Sequence, residues 1–137
     1  MIMKDCIFCK IILKEIPSHK IYEDENVYAF LDINPVHIGH TLVVPKVHAE
    51  DIFDISSESW AHVMNVVHTL SPIVHAATNA DGVNIIMNNK RSAGQLIDHA
   101  HVHIVPRFAD DGLKGLPQHS ENSEALTTMQ EKIKNTL

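Results

Sequence analysis

Three histidines stand at alternate positions in His99-Ala100-His101-Val102-His103-Ile104-Val105. A strand sends successive side chains to opposite faces, so His99, His101 and His103 share one face and Ala100, Val102 and Ile104 share the other. The second face is apolar and belongs against a core. The first presents three imidazoles in a row, roughly 6–7 Å apart by strand rise. Such a row could bind a transition metal. It could also supply a nucleophile and acid–base groups, since imidazole titrates near neutral pH. The bland alternative, three polar positions on a solvated sheet, fits poorly with strict alternation beside an apolar face. A second reactive set lies near the start, where Cys6 and Cys9 form a C-x-x-C. That spacing is half of a zinc site, a redox pair, or two small buried residues.

The elements that must position these groups follow from periodicity. Asp5 is a candidate cap for a short helix over Cys6 to Lys14, which stops before Pro17. Ile21 to Glu23 and Val27 to Leu31 read as short strands, and His40 to Pro45 as a β-branched one. From Ser57 to Asn79, Trp60, Val63, Met64, Val67, Leu70 and Val74 recur every three or four residues and predict one long amphipathic helix. Pro72 predicts a kink or break within it. Val83 to Asn88 and His99 to Arg107 are further strands, joined by a polar loop that holds Gly94. A weaker, exposed helix is expected over Glu121 to Leu137. Short connections between strands predict an α+β fold with a mostly antiparallel sheet.

The 137 residues fit a single domain, 1–137, with a core over about 5–108 and a tail over 109–137. The net charge of −6 argues against a broad basic surface for nucleic acid, though a small anion is compatible with it. No apolar stretch is long enough to span a membrane, and the N-terminus lacks the pattern of a signal peptide. A cytoplasmic location is expected, where a structural disulfide between the cysteines is the weaker reading. There are 11 histidines, as many as Lys and Arg together, clustered rather than in a tract.

The heptapeptide at 99–105 resembles the signature of the histidine triad (HIT) family, in which histidines alternate with apolar residues. Cys-Ile-Phe-Cys-Lys-Ile-Ile at 6–12, Ala-Phe-Leu-Asp-Ile at 29–33, Gly-His-Thr-Leu-Val-Val-Pro-Lys-Val-His at 39–48 and Ala-Gly-Gln at 93–95 are similar to blocks of its Hint-like branch, bacterial zinc-containing type. The resemblance covers roughly residues 5 to 108. It implies a HIT-like fold: a five-stranded antiparallel sheet, one long helix and a short N-terminal helix, in a homodimer that takes a purine nucleotide. It implies that His101 attacks the α-phosphate of a nucleoside phosphoramidate or dinucleoside polyphosphate. A nucleotidyl-histidine forms, and water then releases the nucleoside monophosphate. His103 and His40 match positions that line the phosphate site, and Asn88, Gly94 and Gln95 match others beside it. Asp32 matches the carboxylate that holds the ribose. Ile7, Phe8, Ile11, Phe30 and Ile33 match an apolar slot for the base, although each is individually a reasonable core residue. The resemblance also implies that His48 and His99 join Cys6 and Cys9 around a structural zinc. One position departs: Leu96 stands where eukaryotic Hint-like proteins carry a hydroxyl thought to assist the leaving group. An alternative reading is a nucleotide-binding regulatory module whose catalysis is vestigial.

Overall fold

The computed structural model describes residues 3–137. The chain runs α1 (Ile7–Ile12), β1 (Lys20–Glu23), β2 (Val27–Leu31), β3 (Thr41–Pro45), α2 (Ser57–Thr78), β4 (Gly82–Ile86), a 3-10 turn (Arg91–Ala93), β5 (Val102–Arg107) and α3 (Ser123–Thr136). The strands form one sheet in the order β1-β2-β3-β5-β4, and every neighbouring pair is antiparallel. The α+β, five-stranded expectation therefore holds.

The two faces of the sheet carry different loads. On one, Val63, Val66, Val67, Leu70 and Val74 of α2 pack against Val27, Ala29, Val43, Val102 and Ile104. Each such aliphatic side chain contributes about 1.5–3 kcal/mol on burial. This face fixes β5 whatever lies across the sheet. On the other, Phe8, Ile11 and Ile12 of α1 cover Tyr28, Phe30, Leu42 and Val44. β5 is thus held from behind by α2 while its opposite face looks toward α1, as the alternation of histidine and apolar residues requires.

Several local expectations shift. The cap of α1 is Cys6, not Asp5: the Cys6 sulfur accepts the backbone N–H of Cys9. Helix α2 is continuous through Pro72. Pro72 removes one donor, but it and His68, whose carbonyl loses that partner, are both exposed residues, so solvent can serve the orphaned group. Ser56 caps the helix through its hydroxyl, which accepts from Ser59 N–H at 3.1 Å. Asn79 closes it in a left-handed conformation. β5 begins at Val102 rather than His99, and β3 at Thr41 rather than His40, so His40, His99 and His101 sit just beyond the regular ladder. Beyond β5, α3 has no buried residue.

Candidate functional site

His99, Ala100 and His101 precede the regular strand, after a bend that ends at His99, and Ala100 N–H donates to Ala49 O at 2.7 Å. The imidazoles keep one face. Phe8 meets His99 and His101 edge-on at 5.9 and 5.2 Å, and the rings of His101 and His103 lie 4.9 Å apart, closer than strand rise alone allows.

Hydrogen bonds fix which nitrogen of each ring carries the proton. His101 Nδ1–H donates to His99 O at 2.6 Å. That leaves Nε2 with its lone pair and no partner among the described residues. Val36 N–H donates to His40 Nδ1 at 3.1 Å, so the proton of neutral His40 is on Nε2. His40 Nε2–H in turn donates to His103 Nδ1 at 2.8 Å. The proton of His103 is therefore on Nε2, which is the buried side-chain nitrogen or oxygen left without a partner among the described residues. A chain of donors ends in one unspent N–H beside one unspent lone pair. Burial pushes all three imidazoles below their usual range, His103 to about 4, where His101 and His40 add to the effect. Asp32, 3.8 Å from His40 Nε2, opposes the shift.

His101 and His103 open onto a cavity of about 450 Å³, whereas His40 is buried behind His103 and does not line it. Phe8, Ile11, Phe30, Ile33, Asp32, Asn88, Gly94, His101 and His103 all line it. Asp32 is preset by Asn34 N–H, which donates to its Oδ1 at 2.8 Å. Gly94 takes φ +92°, a left-handed conformation that favours glycine. An added Cβ would meet Asn88 only at 3.8 Å, so backbone conformation, not crowding, calls for glycine here. Ile33 is 77% exposed, a lip of the cavity rather than its floor.

Gln95 is placed differently. It is buried, its Oε1 accepts from Lys90 N–H, and its Nε2 donates to Glu50 O and Ile97 O. Its amide is spent on backbone and it does not line the cavity. It ties the loop after β4 to the segment after β3. Lys90 Nζ and buried Asp51 strengthen the tie at 2.7 Å. Sequence reading missed that pair, which is separated by 39 positions and carries no local signal. It also missed Leu42 and Ile97 on the cavity wall. For Leu42 a signal existed, since it alternates with His40 and pairs with His103 across β3 and β5.

A second cluster lies at the start of α1. Cys6 Sγ is 3.3 Å from His99 Nδ1, Cys9 Sγ is 3.5 Å from His48 Nδ1 and 3.6 Å from His99 Nδ1, and the two nitrogens are 3.2 Å apart. Vertices of a tetrahedron drawn at zinc–sulfur and zinc–nitrogen bond lengths are about 3.3–3.8 Å apart. His99 Nε2–H donates to Pro45 O at 2.8 Å, which leaves Nδ1 unprotonated and facing the sulfurs. Burial raises the Cys9 thiol and lowers His99 to about 4, penalties that a divalent cation would offset. The donor set fits zinc.

Residues 13–110 match the family model described as HIT domain. A crystal structure of a Streptococcus mutans protein superposes with a TM-score of 0.93 at 44% identity, covering 98% of this chain and 86% of that one. The adenosine 5'-monophosphoramidase of Candida albicans is 36% identical over 138 residues, 96% of this chain and 91% of that protein. A zinc-bound histidine triad family protein from Mycobacterium smegmatis superposes with a TM-score of 0.76 at 34% identity, covering 93% and 97%.

Proposed function

This chain belongs to the HIT (histidine triad) domain family, and from that premise we propose that it is a nucleotide hydrolase or transferase with His101 as its nucleophile. The observation that carries the reading is the pair of unspent nitrogens: a lone pair on His101 Nε2 beside an N–H on His103 Nε2. Neutral imidazole is a good nucleophile toward phosphorus, and its phosphoramidate product is labile enough to turn over. In the first step His101 Nε2 bonds to the α-phosphorus and the bond to the leaving group breaks. His103 Nε2–H hydrogen-bonds the non-bridging oxygen on which charge builds. In the second step water displaces His101 and the nucleoside monophosphate departs.

The lining of the rest of the cavity supports a reading of where each part of the nucleotide lies. Asp32 accepts from the ribose hydroxyls. Phe8, Ile11 and Phe30 enclose the base, with Ile33 at the rim, and Asn88 and Gly94 border the phosphates. Gln95 acts from behind by holding that loop. The substrate class is a purine nucleoside phosphoramidate or a dinucleoside polyphosphate, supported by the name of the Candida albicans relative, adenosine 5'-monophosphoramidase. Cys6, Cys9, His48 and His99 would hold one zinc ion. When bound, the zinc supplies a cross-link between α1 and the triad segment, with no open position for substrate. We place the protein in the cytoplasm as a homodimer. β4 is an edge strand whose Ile85 and Ile86 are exposed, and Ile73 of α2 is uncovered as well. A solution mass of one chain would remove the dimer. Among the described residues no helix is long and apolar enough to cross a membrane.

The test offers adenosine phosphoramidate and diadenosine polyphosphates to the purified protein and follows the products by chromatography. AMP released by the wild type and not by His101→Ala is the expected result. AMP bound and never released would instead make the protein a binding module.

A further inference from the structure

The two clusters are not independent, because they share a residue and a helix. His99 contributes Nδ1 to the cysteine cluster, and its carbonyl takes the Nδ1–H of His101. That carbonyl decides which nitrogen of His101 is left free. Among the described residues, the ring of His99 is itself held at two places beyond packing: Pro45 O and the cluster. Helix α1 has only six residues, too short to hold its shape alone, and the cluster pins both ends of its first turn through Cys6 and Cys9. That helix delivers Ile7, Phe8 and Ile11 to the cavity wall, and Phe8 packs edge-on against His99, His101 and Phe30. A cation on the four donors therefore fixes two things at once, the base-side wall and the orientation of the nucleophile.

We infer that metal binding at Cys6, Cys9, His48 and His99 and nucleotide binding in the cavity are thermodynamically coupled, with His99 and Phe8 as the positioning residues that join them. Coupling is reciprocal: the factor by which zinc raises affinity for a nucleotide equals the factor by which the nucleotide raises affinity for zinc. A purely local structural metal would stabilise the fold and leave the cavity indifferent. The inference rests on the nucleotide reading given above, and its test separates the two.

The experiment uses the zinc-loaded protein and a chromogenic chelator of known zinc affinity, with the partition of zinc between the two measured at equilibrium, with and without saturating AMP. Binding of AMP is verified separately by calorimetry. AMP should tighten zinc binding by about fivefold or more, within the usual range of coupling between sites. Phe8→Leu, which keeps all four donors and removes the ring between them and the cavity, should bind zinc and lose most of that gain. Equal zinc affinity with AMP demonstrably bound would overturn the inference and leave the nucleotide reading intact. Failure of AMP to bind would overturn the nucleotide reading. The side-chain nitrogen spectrum of His101 then decides: a single Nδ1–H tautomer with zinc that becomes mixed on chelation supports the link from metal to nucleophile. An unchanged His101 spectrum in the zinc-free, folded protein would refute that link.

Discussion

The cluster of Cys6, Cys9, His48 and His99 and the cluster of His40, His101 and His103 each take imidazoles from the same short stretch, residues 99–103, yet their chemistry differs. His99 gives Nε2–H to Pro45 O and keeps the lone pair of Nδ1, close to its own backbone. His101 gives Nδ1–H to His99 O and keeps the lone pair of Nε2, at the far edge of the ring. In the first cluster four donor atoms converge within 4.8 Å of one another. In the second, donors and acceptors run head to tail from Val36 through His40 to His103. By taking one proton, a backbone carbonyl thus decides which nitrogen each ring leaves free, the one we propose as a ligand at His99 and the one we propose as a nucleophile at His101.

The sharpest way to break this contrast is to remove the nucleophile proposed above. His101→Ala should cost about four orders of magnitude or more in AMP release, because no other lone pair occupies its place. Zinc content and secondary structure should persist, since Val102 and Ile104 do the packing behind it. Wild-type turnover in that variant would refute the assignment. His103→Ala should cost less, about 10²–10³ in kcat, the usual loss for one preorganised donor to a developing charge. A change in KM alone would mean that His103 binds ground state and transition state equally.

Cys9→Ala probes the other side of the contrast. One zinc per chain should be lost, with more than about 3 kcal/mol of stability, since binding energy at a structural metal site is folding energy. Metal analysis and thermal melting measure both. Retention of a full equivalent of zinc would place the metal elsewhere, among the triad histidines.

Acid should reach both clusters in the same range, since burial lowers His99 as well as His103 to about 4. Burial depresses the imidazoles of His40, His101 and His103, the last to about 4. For a group whose folded pKa is lowered, the unfolded chain takes up the proton first. Stability attached to His103 is therefore complete above about 6.5, the ordinary value, and is lost as pH falls from there toward about 4. Turnover needs neutral His101, so kcat/KM should stay flat from pH 8 to about 6.5 and fall only in more acid solution. A rate already halved at pH 6.5 would contradict the burial of the nucleophile.

Local alternation made the triad face, the β5 core face and the stripe on α2 legible in the sequence, because each is a pattern within one element. Asp32, Asn88 and Gly94 were legible through resemblance and do line the cavity. The illegible parts depend on distant backbone. Gln95 is consumed by Glu50 O and Ile97 O, and no spacing announces a carbonyl from another segment. Cys6 displaces Asp5 as the cap of α1, because a sulfur that caps the helix is also turned toward His99. Pro72 leaves α2 unbroken because its missing donor falls on an exposed side, a fact of tertiary placement.

The smallest expected effect concerns Leu96, which lines the cavity mouth and is 78% exposed. It can give no proton to a departing amine, whereas a polyphosphate leaving group needs less help. Leu96→Ser should therefore leave stability within about 0.5 kcal/mol, as for an exposed position with no partner to lose. On adenosine phosphoramidate it should raise kcat by about tenfold, the low end of what a placed acid contributes. On diadenosine polyphosphate the gain should be absent. Equal gains on both would mean that the leucine acts by obstructing the mouth, and the distinction between leaving groups would fall to His103 alone.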